Sequence, residues 1–234
     1  MHTDTPHRLG MEAPAGREPV RTESSGPRLA RVRFEDEQQV ASVLTRAFVD
    51  DPLVMAICPS GREDRQRRTL WSFRMAVRGH CLANEPAFVV AADGRLAGVV
   101  LVSRSRTIQP ARGDLAFTVR GVLHVGARTL WRGLRAAHVI GAHAPSYPFT
   151  YLRTLGVAPE YHGRGLGSQL VQYVLRTSPP ELPVYLETAK EENLAFYTRH
   201  GFERAGEFQC LGVPVWRLTR PPLADPTARG AVQR

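Results

Sequence analysis

A chain of 234 residues, 43% of them hydrophobic, is long enough for one domain with a real core plus appendages. Its net charge of +9 invites a nucleic-acid reading, yet Lys190 is the sole lysine and no basic run is interleaved with aromatics. That argues against a nucleic-acid partner and for a G+C-rich coding sequence. No apolar run is long enough to span a bilayer, and no signal-peptide pattern opens the chain. The three cysteines (Cys58, Cys81, Cys210) lack the spacing of a zinc site or a disulfide framework. The expectation is a cytoplasmic chain with no metal and no membrane partner.

Residues 1–27 are rich in Pro, Gly, Ser, Thr and charge and read as a disordered tail. Residues 221–234, opening on Pro221-Pro222, read the same way, which leaves a domain over 28–220. Leu29 to Phe34 alternates apolar and charged residues and suits a strand. Glu35-Asp36 opens an amphipathic helix carrying Val40, Val43, Leu44, Ala47 and Phe48. Residues 62–80 give a second helix, with Leu70, Phe73 and Val77 on one face and arginines opposite. Phe88–Ala92 and Arg95–Ser103 read as strands joined at Asp93-Gly94, a strong hairpin signal. Asp114 to His143 reads as one long helical region. Leu123, Ala127, Leu130 and Leu134 share a face of it, and Arg128, Arg132 and Arg135 form a solvated stripe. His124, His138 and His143 show no metal-ligand spacing. A final hairpin is expected from Phe202–Phe208 and Val213–Thr219.

Between these lies the most informative segment. A strand, Tyr151–Val157, runs into Pro159, then into Gly163, Gly165 and Gly167. A helix opens at once, with Leu166, Leu170, Val171, Val174 and Leu175 at helical spacing. The first N–H groups of such a helix lack partners, and its dipole favours negative charge, so a glycine loop feeding it is an anion site. A diphosphate is the expected ligand. The P-loop is excluded, because Leu166-Gly167-Ser168 stands where its lysine and hydroxyl belong. The dinucleotide fingerprint is a rival, since Glu187 follows the loop by about 20 residues. Against it, Pro159 to His162 separate strand from glycines, and too little chain follows Glu187 to complete a doubly wound sheet.

The segment His162-Gly163-Arg164-Gly165-Leu166-Gly167 resembles the acyl-CoA motif of the GCN5-related N-acetyltransferase (GNAT) superfamily, with His162 in place of the usual Gln or Arg. Val184-Tyr185-Leu186-Glu187-Thr188 is similar to that family's next strand. Residues 192–202, containing Asn193, Tyr197 and Gly201-Phe202, resemble its Asn…Tyr-x-x-x-Gly-Phe segment. The pattern is most similar to the puromycin N-acetyltransferase-like branch. The resemblance is dense over 150–202, looser over 28–103 and absent in the tails. It implies an α/β fold with a mostly antiparallel sheet and one parallel, splayed strand pair flanked by helices. It also implies that 104–149 is a helical insertion, which with the first two helices would shape an acceptor pocket.

The same resemblance implies transfer of an acetyl group from acetyl-CoA to a primary amine, expected to belong to a small molecule. The alternatives are a protein or peptide amine, or a non-catalytic acyl-CoA-binding module. A monomer or homodimer is expected. Tyr197 matches the tyrosine that protonates the departing sulfur, and Asn193, on the same helical side, matches a cofactor-contacting asparagine that could also cap the helix. Glu187 is the candidate general base, since a carboxylate on an apolar strand is costly unless used or paired. Glu160, Tyr151 and Arg153 are lesser options. Leu155 and Val157 should offer backbone groups to the pantetheine and thioester, with Gly156 marking a bulge that opens the strand. His162, Gly163, Arg164, Gly165, Leu166, Gly167 and Ser168 complete the expected cofactor contacts, with Arg164 reaching a phosphate.

Overall fold

The structure, a computed structural model, describes residues 28–104 and 115–222. The expected tail 1–27, the helix start at Asp114 and the second tail beyond Pro222 lie outside the described residues. Seven strands form one sheet: β1 (Arg28–Arg31), β2 (Ala87–Ala92), β3 (Arg95–Ser103), β4 (Thr150–Val157), β5 (Val184–Thr188), β6 (Glu203–Cys210) and β7 (Val213–Arg220), in the order β1-β2-β3-β4-β5-β7-β6. Helices α1 (Glu37–Phe48), α2 (Pro52–Ile57), α3 (Arg62–Leu82), α4 (Leu115–Val125), α5 (Ala127–His143), α6 (Leu166–Thr177) and α7 (Glu192–Thr198) flank it.

Only β4 and β5 run parallel, because α6 carries the chain from one to the other as a crossover. Their pairing stops after Thr150↔Val184 and Tyr151↔Tyr185. Beyond that point β4 is held on its other edge by β3, as far as Gly98↔Val157, and β5 by β7, as far as Thr188↔Trp216. Both strands are therefore anchored outward, and a gap opens between them.

The two faces of the sheet carry different helices. A side chain added at Gly156 would meet Phe48, Ala47 and Leu44 of α1, at 2.9, 3.1 and 3.1 Å. One added at Gly98 would meet Val157 and Leu170 of α6. So α1 covers one face, and α6 covers the other through Leu166, Leu170, Val171 and Val174, all buried. Gly156 is small because α1 lies on it, not because the strand bulges there. The register shift sits instead where Leu101 pairs Thr154 while Val102 pairs Leu152, which makes Arg153 the extra residue. Buried Glu37 ties α1 to α3, accepting from Arg74 Nε at 2.8 Å and Arg78 Nη1 at 3.0 Å.

Two departures from the expected elements follow from local chemistry. Asp51 accepts from the N–H groups of Leu53 and Val54 and Pro52 takes the first helical position, so α2 forms where no helix was read. The long helical region breaks at Gly126, whose φ of 81° lies outside any right-handed helix. Its apolar face is also turned outward: Leu123 is 75% exposed and Leu134 63%. The helix α5 packs inward through the short residues Thr129 and Ala136, which permit a closer approach than leucine does. The arginine stripe is not wholly solvated, since Arg132 donates to the Ala56 carbonyl at 2.6 Å and so caps the end of α2.

Candidate functional site

The glycine loop forms a cradle. Gly163 and Gly165 have φ of 77° and 74°, the left-handed region that L side chains enter only with strain. Gly165 caps α6 without any side-chain bond to the first N–H groups of that helix. Those donors border a groove of about 420 Å³. Leu155, Val157, His162, Gly163, Gly165, Leu166, Gly167, Ser168 and Asn193 line it.

The backbone of β4 is aimed correctly for this groove. Ala158 N–H donates to Ala97 O at 2.8 Å, so the bonds toward β3 fall on residues 158, 156 and 154 by antiparallel alternation. The N–H and C=O groups of Leu155 and Val157 therefore face the gap. His162 donates from Nε2 to the Val157 carbonyl at 2.9 Å. Where a Gln or Arg was usual, an imidazole ties the loop back to the strand end.

Other residues sit differently from expectation. Arg164 pairs with Asp93 of the β2–β3 turn at 2.7 Å and does not line the groove. Gly156, facing α1, does not line it either. Arg199, which was not foreseen, does line it, from the C-cap of α7 and at three-residue spacing from Phe196 and Asn193 of that helix. That spacing was the available signal. Asn193 is not the helix cap, a position held by Glu191. Its amide donates to Thr188 Oγ1 at 3.0 Å, fastening α7 to the end of β5. Ser168 Oγ shares a hydrogen bond of 3.1 Å with His200 Nε2. Glu160 pairs with Arg46 on the surface at 3.3 Å.

Tyr197 is buried, its ring set edgewise against Phe196 and Phe202 at 5.0 and 5.6 Å between centroids. Burial alone holds its phenol above the usual range. Its neighbour Phe196, not Tyr197 itself, lines the groove.

A second cavity of about 250 Å³ lies on the opposite face, roofed by α5 and Ile57 of α2 and floored by Tyr151, Arg153, Thr154, Tyr185 and Glu187. Burial pushes the Glu187 carboxyl from 4.5 up to about 7, against the pull of the nearby Tyr151 and Tyr185 hydroxyls and of Arg217. Both hydroxyls stand close enough to act on the carboxyl, yet Glu187 Oε1 and the Tyr185 hydroxyl are buried without a well-formed hydrogen bond. Both phenols lie above their usual range, through burial first and the Glu187 charge second. Tyr185, which was not expected as a site residue, joins this wall because β4 and β5 begin side by side, with Tyr151 paired to Tyr185. Among the described residues no group of His, Cys, Asp and Glu could hold a metal ion, and no helix is long and apolar enough to cross a membrane.

A family profile described as "Acetyltransferase (GNAT) family" matches residues 51–202, from the cap of α2 to the end of the Gly-Phe segment. The chain belongs to the GNAT family. Over 61 residues this GNAT chain is 41% identical to the 5-NmdU N-acetyltransferase of Pseudomonas phage PaMx11, a match covering 26% of the chain and 44% of the relative. The chain thus aligns with less than half of that relative's length. Two solved structures share the fold. A Corynebacterium glutamicum protein described as histone acetyltransferase HPA2 and related acetyltransferase superposes with a TM-score of 0.65 at 22% identity, over 86% of this chain and 98% of its own. The Drosophila melanogaster polyamine N-acetyltransferase gives 0.57 at 15% identity, over 83% and 99%. At such identities the likeness is one of fold, and it accounts for the mixed sheet with a single parallel pair.

Proposed function

We propose that this chain moves the acetyl group of acetyl-CoA directly to a primary amine of a small molecule. One observation carries the reading. The gap between β4 and β5 lies between an anion cradle on one face and the Glu187 cavity on the other. The residues fit a CoA thioester. The uncapped N–H groups of α6, with Gly163 and Gly165 leaving open space above the loop, suit a pyrophosphate. The backbone groups of Leu155 and Val157 suit the pantetheine amides, as a strand edge suits an added strand. Acetyl-CoA supplies an activated acyl group.

Within this reading Glu187 takes the proton of the attacking amine, and its position near 7 is the value a general base needs at neutral pH. Tyr197 returns a proton to the departing sulfur. The helices α2 and α5 shape the acceptor side, α5 as part of the proposed helical insertion over 104–149, whereas α1 and α3, the first two expected helices, do not line the cavity. The likeness to the puromycin N-acetyltransferase-like branch supports a small acceptor, and the naming of the phage relative as an N-acetyltransferase supports an amine.

Calorimetric titration with acetyl-CoA, CoA and NAD, followed by thiol release across an amine panel, tests the proposal. Binding of acetyl-CoA without NAD, and turnover with small amines, is the expected result. Turnover confined to peptides would move the acceptor to a protein amine. Binding with no turnover would leave an acyl-CoA-binding module.

A further inference from the structure

Arg153 is the bulged residue of β4, and its side chain forms part of the wall of the Glu187 cavity. Burial lowers its pKa, and the charges of Tyr151, Glu85 and Glu187 act on it from a distance. It makes no hydrogen bond and no ion pair with any described residue. Its neighbours are already engaged: Glu85 accepts from the Arg104 amide at 3.1 Å, and buried His80 bonds the Pro86 carbonyl at 2.9 Å. Its side chain is half-buried and none of its nitrogens is fully closed off, so the five donors of its planar fork are open to a ligand entering the cavity. Glu187 Oε1 and the Tyr185 hydroxyl, on the same wall, are unpartnered as well.

These three polar groups face one small cavity beside Tyr151 and Thr154, and Ile57, Ala136, Ile140 and Phe149 supply its apolar walls. A ligand carrying both an amine and an anion would engage Glu187 and Arg153 at once. The one cation and the one carboxylate among the lining residues are Arg153 and Glu187, which do not pair with each other. A polyamine would bring its second cation toward Arg153, with no second acid to receive it. At about 250 Å³ the cavity is below the usual range for drug-sized ligands.

We propose that the acceptor is an amino acid or a close analogue: a primary amine directed to Glu187, a carboxylate held by the Arg153 fork, and an apolar or aromatic remainder under α5. A planar, bidentate carboxylate is what an arginine, rather than a lysine, is suited to select. The inference rests on the acetyltransferase reading. The bonds balance: the amine nitrogen joins the acetyl carbon, the carbon–sulfur bond breaks, the amine proton passes to Glu187 and the sulfur takes one from Tyr197. The products are an N-acetyl amino acid and free CoA.

The test compares phenylalanine and leucine with their amides, their decarboxylated amines and the aminophosphonate analogues, by kcat/KM, on wild type and on Arg153→Gln and Arg153→Lys. The expected result is a preference of at least about 100-fold for the carboxylate over the decarboxylated amine. In Arg153→Gln that preference falls to a few-fold, mainly through KM of the carboxylate substrates, with acetyl-CoA affinity unchanged. Arg153→Lys keeps part of it. An aminophosphonate used as well as the carboxylate supports the same Arg153 contact, with a phosphoryl acceptor as its source. Equal use of amine and amino acid by wild type overturns the proposal, even if Arg153→Gln does not fold. So does an equal fall for both in the variant. Should acetyl-CoA bind with no amine of any series acetylated, the catalytic reading itself fails and takes this one with it.

Discussion

Replacing Glu187 with glutamine separates two contributions of one carboxyl. In the folded protein its pKa stands at about 7 rather than 4.5, because its surroundings disfavour the anion. For a group whose pKa rises on folding, the stability it contributes is fully present below the unfolded value and is lost as pH climbs through the folded one. The window here runs from 4.5 to about 7, and the loss across it amounts to about 3 kcal/mol. Glutamine does not titrate. Glu187→Gln should match wild type near pH 4.5 and exceed it by about 3 kcal/mol at pH ~8, measured by urea unfolding at the two pH values. Activity should move the other way. Loss of a general base costs roughly 10² to 10⁴ in rate, and the rise of kcat/KM with pH near neutrality should vanish with it. A variant that follows wild-type stability at both pH values, or that keeps the rise near neutrality, would refute the assignment of a strained, functional carboxyl.

Three further substitutions probe other parts of the argument. Tyr197→Phe removes a hydroxyl whose environment is shaped by burial alone. Turnover should drop about 100-fold while the thermal midpoint stays the same or rises, and loss of stability without loss of rate would deny it the acid role. Gly165→Ala places an L side chain at φ 74° and a methyl over the groove. Calorimetry should find CoA affinity weakened, with about 1 kcal/mol lost in stability. Glu37→Gln strips two arginines of their carboxylate between α1 and α3. Denaturant unfolding should report a loss of about 3 kcal/mol, the low end for breaking a buried ion pair.

Features governed by local geometry were legible in the chain. Asp93-Gly94 takes φ of 52° and 70°, the turn those residue types favour. Gly163 and Gly165 occupy positions that demand glycine, and the helix they feed begins at Leu166. What escaped reading depends on distant partners or short elements. Six residues of α2 are too few for a period to emerge, although Asp51-Pro52 held the capping signal. Arg164 looked like a phosphate ligand from its loop, but its partner Asp93 stands 71 positions away. No glycine or proline announces the bulge at Arg153, and the exposed leucines of α4 and α5 follow helical spacing as well as buried ones would. Glu187 could be suspected from its strand, whereas its tyrosine surround required the topology.

The splayed strands also bear on traffic. Since each cavity opens on its own side of the sheet, what occupies one does not stand in the path of what enters the other. The sheet acts as a partition with a single slot, and neither compartment has to empty before its neighbour fills. Under the proposed transfer, turnover on such a scaffold need not obey a compulsory order of arrival, and the spent carrier and the modified product would depart by separate exits.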